Sequence, residues 1–272
     1  MEASSVSETN NEEHGRRGPF CQCLLFAAGF SEAQTTPTPV VAAISLEKSL
    51  ITQHEPALLE LRFENLSERG TVVSLGENDE KLELRVVDPE GHAFRKSRPE
   101  VRHGFASPDA FSVAGGKMSV GYVPLTDWFD FEKIGTYQIE VSLSPSSLEK
   151  ERFSYDIRSS PTSLSLTVLP RDERALESIC ADLLGRTQAL HSAGAALSAA
   201  RALSKVNDPV AVPFLASAMK GNEFKGLMID ALARLKTKEA LDALIAASRL
   251  DDPETKTLAR GALASLGEAG KK

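Results

Sequence analysis

Cysteine is scarce in this sequence of 272 residues, which contains Cys21, Cys23 and Cys180. If the first two leave with a cleaved N-terminal signal, Cys180 is alone and no internal disulfide can form. Cys21 and Cys23 have no second pair of cysteines or histidines at ligand spacing, and the five histidines are scattered along the chain. The sequence therefore predicts no metal site, no cofactor and no nucleophile paired with a base, which favours a protein that is not an enzyme.

Long apolar runs and blocks of positive charge are also missing. No apolar segment reaches the roughly 18 residues that a membrane-spanning helix needs. The net charge is −7, and residues 171–272 contain 15 basic and 13 acidic residues, so the first 170 residues carry −9. Neither part has the clustered lysines and arginines of a nucleic-acid-binding surface. We therefore expect neither an integral membrane segment nor a nucleic-acid partner.

The N-terminal residues have the three parts of a secretory signal peptide in the usual order. Two arginines precede a mostly apolar run at residues 19–30, and Ser31 and Ala33 place small residues at the cleavage positions. The residues before the arginines are acidic, which is unusual for such a signal, and a disordered tail is the alternative. The pattern predicts a signal peptide over residues 1–33 and export to the periplasm or the exterior of a bacterial cell.

Residues 41–170 alternate between apolar and polar side chains, after a predicted linker at residues 34–40 that is rich in proline and threonine. The alternation is complete at residues 59–64 and returns at 81–86 and 136–143. A period of two buries one face of a strand and exposes the other, which is typical of antiparallel sheets. About eight such strands with turns between them predict a β-sandwich of the immunoglobulin-like kind.

Two resemblances bear on this segment. The residues around Tyr137 resemble the tyrosine corner of immunoglobulin-like domains, which implies a hydrogen bond between the Tyr137 hydroxyl and the backbone a few residues upstream. Ile139 stands where antibody domains carry their second cysteine, so the resemblance implies no disulfide between sheets. The span from Asn65 through an Asp-Pro-Glu-Gly turn at residues 88–91 to Tyr137 is also similar to the intracellular proteinase inhibitor family. That similarity implies a sandwich loop that occupies a protease cleft.

Trp128, Phe129 and Phe131 form the densest aromatic cluster and include the one tryptophan of the chain. Exposed aromatic side chains often anchor a protein partner, so these three are candidate partner-binding residues. The alternative is that the three rings close one end of the sandwich core, since large aromatic side chains are usually well buried.

The period changes to 3.6 after Pro170, which predicts six short helices in residues 171–272. Cys180 falls on the apolar stripe of the first helix and is predicted to be a core residue and not a nucleophile. Asp208 and Asp252 are each followed by proline. Both are predicted to start helices, because aspartate caps the first turn and proline suits its first position.

Similar short segments recur about every 30 residues, at 202–206, 231–235 and 262–266, a spacing typical of helical-hairpin repeats. Residues 207–215, with an Asp-Pro turn that leads into Val-Pro-Phe-Leu, resemble the start of a HEAT repeat. The resemblance implies a short solenoid of about three helical pairs that offers a surface to a partner. Some HEAT-like proteins are lyases that attach bilins to antenna proteins, although no residue here is assigned to tetrapyrrole handling.

Taken together, these patterns predict an immunoglobulin-like sandwich at residues 41–170 followed by a HEAT-like solenoid at residues 171–272. The predicted function is a monomeric, exported and non-enzymatic interaction or scaffold module. It would bind a protein partner through the helical surface, the sandwich loops or both. The alternatives are a proteinase inhibitor that acts through the sandwich and a protein related to the HEAT-like lyases.

Overall fold

The computed structural model describes residues 38–75, 82–96, 110–143, 155–158, 161–188, 193–220 and 223–269. Within these residues all the strands precede all the α-helices. The strands are β1 Thr38–Leu46, β2 Leu50–Thr52, β3 Leu58–Asn65, β4 Thr71–Ser74, β5 Leu82–Val87, β6 Ala93–Lys96, β7 Ala110–Val113, β8 Met118–Pro124, β9 Gly135–Leu143, β10 Tyr155–Arg158 and β11 Thr162–Leu169. The helices are α1 Glu173–Thr187, α2 Ala193–Lys205, α3 Val212–Ala218, α4 Lys225–Leu235, α5 Lys238–Ala247 and α6 Pro253–Ala269.

One sheet has four strands in the order β10-β1-β3-β8. The pairs β1–β3 and β3–β8 are antiparallel, and β1 pairs with β10 in parallel. On β3 the burial alternates from Leu59 onward, so that Leu59, Leu61 and Phe63 face the core. This confirms the alternation predicted for residues 59–64.

A second sheet has five strands in the order β2-β11-β9-β5-β6, and β4 and β7 form a separate antiparallel pair. The pairs β11–β9, β9–β5 and β5–β6 are antiparallel, whereas β2 and β11 run in parallel. Large buried side chains from both sheets form one hydrophobic cluster, among them Phe63, Leu84 and Ile139. Together with the helices, these sheets confirm the predicted mixed β and α fold.

The helices pack mainly in a regular order. Each of the pairs α1–α2, α3–α4 and α5–α6 is in contact, and so are helices two places apart along the chain, such as α2 and α4. Their apolar stripes form a second cluster that contains the fully buried Cys180 and Leu232. The described helices therefore stack in sequence order around a continuous core.

The predicted helix starts are confirmed at both Asp-Pro sites. The Asp208 side chain accepts a hydrogen bond from the Val210 backbone N–H and caps a 3-10 turn at Pro209–Ala211 that leads into α3. Asp252 accepts from the Thr255 N–H at 3.1 Å at the start of α6. α6 continues through Gly267 and ends at Ala269. Glycine away from a left-handed conformation weakens a helix without ending it.

The helices and the four-stranded sheet share an interface. Leu58 lies on the outer face of β3 but is 5% exposed, because it belongs to the helical core cluster. The Thr52 hydroxyl donates to the Pro170 carbonyl at 2.7 Å and accepts from the Asp172 N–H at 2.8 Å, which fixes the chain where β11 passes into α1. All of the described residues lie in one compact unit.

Some predicted features lie outside the described residues, including the signal peptide at residues 1–33. The first strand begins at Thr38, inside the predicted linker at residues 34–40, because Thr38, Val40 and the following Val41 favour extended backbone. In the described part of the chain, no helix is long and apolar enough to span a membrane.

Candidate functional site

The structure buries the aromatic cluster that the sequence singled out. Trp128 is 1% exposed, Phe129 9% and Phe131 5%, and all three belong to the core between the sheets. The rings of Phe131 and Tyr137 meet edge to face with centroids 5.1 Å apart. Their position matches the alternative interpretation, in which the three rings close one end of the sandwich core. Rings this deeply buried offer little surface to a partner.

Tyr137 makes the bond that its resemblance to a tyrosine corner implied. The Lys133 backbone N–H donates to the Tyr137 hydroxyl at 3.0 Å, four residues upstream, which confirms that expectation. The predicted turn beside it is confirmed as well, since the Gly91 N–H donates to the Asp88 carbonyl at 2.9 Å. These contacts hold the loop before β9 against the sheet.

Three potential metal ligands meet at this turn. One ligand atom each from Asp88, Glu90 and His92 lie within 4.8 Å of one another. The ammonium group of Lys133 donates to Asp88 Oδ2 at 2.7 Å and to Glu90 Oε2 at 2.6 Å, and the bond from Lys133 is the largest cause that lowers the pKa of Asp88. A cation would have to displace Lys133, so this cluster is better explained as a clamp on the turn.

Cys180 lies in the helical core, as its place on the apolar stripe predicted. It is fully buried, and this burial raises the pKa of its thiol to about 12. Because the thiolate is the nucleophilic form, a thiol with so high a pKa is unreactive near neutral pH.

A groove lies where α1 and α2 meet the outer face of the four-stranded sheet. Leu58 and Tyr122 of the sheet line its closed part. Beside them, the outer face of β3 and β8 carries Glu60 paired in register with Tyr122, Arg62 with Val120 and Glu64 with Met118. Residues directly opposite one another in an antiparallel pair lie on the same face. We call the pocket, with its helical wall at Leu183, Arg186 and Ser198, together with the adjoining exposed face of β8 as far as Met118, the sheet–helix groove.

The closed end of the groove is a cavity of about 120 Å³. Its walls come from β3, β8, α1 and α2, and most of them are apolar: Leu58, Tyr122, Leu183, Arg186, Ala195, Ser198 and Ala199. Farther along the floor, Val120 is 40% exposed and Met118 is 61% exposed. The apolar surface thus continues out of the cavity along β8.

Charged residues surround the cavity mouth. The Arg186 guanidinium lies 5.8 Å from the centre of the Tyr122 ring and pairs with Glu47 and Asp182, both at 2.7 Å. Burial and then the charges of Glu60 and Glu47 raise the pKa of Tyr122, against the opposite effect of Arg186. The hydroxyl of Tyr122 therefore lies in a locally negative environment.

Sequence reasoning missed this groove, because it exists only once the helices dock on the sheet. One signal was present in the strand itself. Leu58 and Leu59 are adjacent apolar residues, so β3 begins with both of its faces apolar. A strand of this kind is covered on both sides, which points to a layer packed on the outer face.

Comparisons with known proteins assign neither a family nor a function to this chain. No protein-family model matches the sequence, and no curated protein matches it. Among solved structures, a β-glucosidase from Listeria innocua shares 9% identity over 48% of this chain at a TM-score of 0.28, and the match spans 16% of the glucosidase. A CARDB domain from Pyrococcus furiosus shares 14% identity over 48% of this chain and 87% of its own length, at a TM-score of 0.24. An alkylpurine DNA glycosylase from Pseudomonas fluorescens shares 14% identity over 47% of this chain and 30% of its own, at 0.25. Scores this low support no inference about fold or function.

Proposed function

We propose that this chain is a non-enzymatic protein-interaction or scaffold module, in which an immunoglobulin-like sandwich carries a short HEAT-like stack of three helical pairs. The observation that carries the proposal is the sheet–helix groove with its apolar cavity. It joins the two parts of the chain into one recessed surface, which neither part offers alone.

Both architectural elements of the proposal have support. A core shared by two sheets and the Lys133–Tyr137 hydrogen bond are typical of immunoglobulin-like sandwiches. Contacts within helical pairs and between helices two places apart are typical of helical repeats, in which each unit contacts its neighbours. The Asp-Pro helix starts at Asp208 and Asp252 add to the HEAT-like resemblance.

The size of the cavity favours a protein partner over a small substrate. Sites for small molecules and cofactors usually enclose roughly 300–1,000 Å³. A cavity of about 120 Å³ is smaller than that range and accommodates one side chain. An apolar cavity of this size beside exposed apolar surface matches a site for a single anchoring residue of another protein.

The test of this function uses the full-length chain with a C-terminal affinity tag, expressed in its own host. Proteins are cross-linked reversibly in the cell, the tagged chain is purified, and the recovered proteins are quantified by mass spectrometry. We expect one other protein at a near-stoichiometric amount. Recovery of the tagged chain alone in repeated experiments would contradict the proposal.

Export to the periplasm or the exterior is part of the same proposal, and it is supported by the signal-like pattern over residues 1–33. Mass spectrometry of the protein isolated from its host measures this directly. We expect an N-terminus near Gln34, and an intact Met1 would rule out a cleaved signal.

A further inference from the structure

We propose that the sheet–helix groove binds an extended, basic segment of a partner protein, with one aliphatic side chain in the cavity and lysine or arginine side chains beside it. This inference rests on the proposed function and names the chemistry of the partner. Three features of the groove lead to it: the apolar floor, the spacing of that floor, and the sign of the charge around it.

The apolar contact has two parts. The cavity presents Leu58, Leu183 and Ala199, and an apolar cavity of about this volume binds an apolar group the size of a benzene ring. Outside it, Val120 and Met118 are large apolar side chains that stand exposed on the same face of β8. Together they form a row that begins in the cavity and runs out along the strand.

The spacing of this row favours an extended partner. Tyr122, Val120 and Met118 are separated by two residues each on one strand, so their side chains recur about every 7 Å. An extended segment that lies along β8 has the same spacing between alternate side chains. Its apolar residues can therefore meet the row while its basic residues point toward the flanking carboxylates.

The charge of the groove favours a basic partner. Glu60, Glu64 and Arg62 lie on the sheet face, and Glu47 and Asp182 lie beside Arg186 at the cavity, which makes four carboxylates against two guanidinium groups. Arg186 pairs with both Glu47 and Asp182, and Arg62 pairs with Glu60. The excess of negative charge attracts lysine and arginine and repels acidic segments and nucleic acids.

The experiment measures fluorescence anisotropy of labelled octapeptides with the full-length chain. The first peptide alternates lysine and leucine, the second alternates glutamate and leucine, and the third alternates lysine and serine. We expect the lysine–leucine peptide to bind about tenfold or more tightly than either of the others, because each of these lacks one of the two complementary features. Added salt should weaken the binding by screening the carboxylates.

Matched variants place the binding in the groove. Ser198→Phe fills the cavity, and Glu64→Lys reverses one charge on the exposed part of the floor. We expect each to weaken binding of the lysine–leucine peptide about tenfold. Glu140→Lys is the control for the second change, since Glu140 is exposed on β9 of the other sheet. It should leave binding unchanged, and circular dichroism checks that every variant is folded.

Two results would overturn the inference. One is equal binding of the lysine–leucine and glutamate–leucine peptides. The other is binding of the lysine–leucine peptide that neither Glu64→Lys nor folded Ser198→Phe weakens. If these variants still recover a stoichiometric partner from the host, the groove inference is wrong and the interaction module stands. If the wild-type chain recovers no partner, the proposed function itself is wrong.

Discussion

Asp127 makes a nearly buried polar contact between the sheet region and the helices. It lies in the 3-10 turn Leu125–Asp127 after β8, and its side chain is 9% exposed. Arg201 of α2 approaches Asp127 Oδ2 to 2.6 Å and is itself 12% exposed, while Lys205 lies 3.2 Å from Asp127 Oδ1. One carboxylate therefore holds two cations of the same helix.

Neutralisation of Asp127 should destabilise the protein markedly. Asp127→Asn removes the charge that pairs with the nearly buried Arg201, which costs about 3 kcal/mol in the free energy of unfolding. Glu140→Gln is the control, because Glu140 pairs with Arg85 where both side chains are about half exposed. Loss of such a surface pair costs less than about 1 kcal/mol. Urea unfolding measures both, and equal losses would contradict the role assigned to Asp127.

At the residue scale, the sequence predicted what depends on near neighbours. The hydrogen bond of Tyr137 spans four residues, and the burial of Cys180 follows from the stripe of its own helix. The partners of Asp127 lie more than 70 residues away, so no local pattern could identify them. The sequence left open whether Trp128 is buried in the core or exposed to a partner. Both interpretations place an aromatic residue at the end of a strand, so the local pattern does not distinguish them.

The stripe of α4 is the clearest element-scale test of the helical core. Leu232 is fully buried, so Leu232→Asp places a charge without a partner among apolar side chains. We expect a fall of several kcal/mol in the free energy of unfolding, or loss of the folded state. Leu258→Asp on α6 introduces the same charge at a residue that is 39% exposed and should change stability little. Equal melting curves for Leu232→Asp and wild type would contradict the assignment of Leu232 to the buried apolar stripe of α4.

The cap of α6 has a defined pH dependence. Bonds from Lys225 and Thr255 lower the pKa of Asp252 to about 2. A carboxylate whose pKa is lowered by folding stabilises the protein fully above its unfolded pKa of about 4, and this contribution is lost as the pH falls toward 2. The stability gap between wild type and Asp252→Asn should therefore be largest near neutral pH and close at low pH. Asp251→Asn, at the neighbouring exposed aspartate, is the control and should show a smaller gap than Asp252→Asn near neutral pH.

At the element scale, length decided what could be predicted. The long strands β3 and β9 alternate over eight and nine residues, which is enough for a clear period. Strands β2, β6 and β10 have three or four residues each and were not predicted, whereas the equally short β4 and β7 were predicted as weaker strand candidates at residues 71–75 and 110–113. Pairing with longer neighbours in the sheet, such as β2 with β11, determines β2, β6 and β10 instead.

For the molecule as a whole, the shared interface predicts that the sheets and the helices unfold together. Trp128 is the one tryptophan and is buried in the sheet core, so its fluorescence reports on that region. Far-ultraviolet circular dichroism reports mainly on the helices. We expect both signals to give the same midpoint in urea, as in a two-state transition. Two separate midpoints would show that the helices and the sheets are independently stable.

The large-scale layout could be predicted from sequence only in part. The change of period after Pro170 located the passage from strands to helices, because each period is a local property. The docking of α1 and α2 on the outer face of the sheet was not predicted, since it depends on contacts such as those of Leu58 and Arg186 across the chain. The groove was not predicted for the same reason, because it also depends on contacts between residues far apart in the chain.

The most direct test of the account is a photo-cross-link from within the groove. A benzophenone amino acid replaces Val120 in the tagged full-length chain, and a second chain carries it at Leu169, an exposed apolar residue of β11. After irradiation in the host cell, we predict that Val120 yields one covalent adduct with another protein, at a basic and aliphatic segment, and that Leu169 does not. Equal adducts from both positions, or none from Val120, would contradict the account.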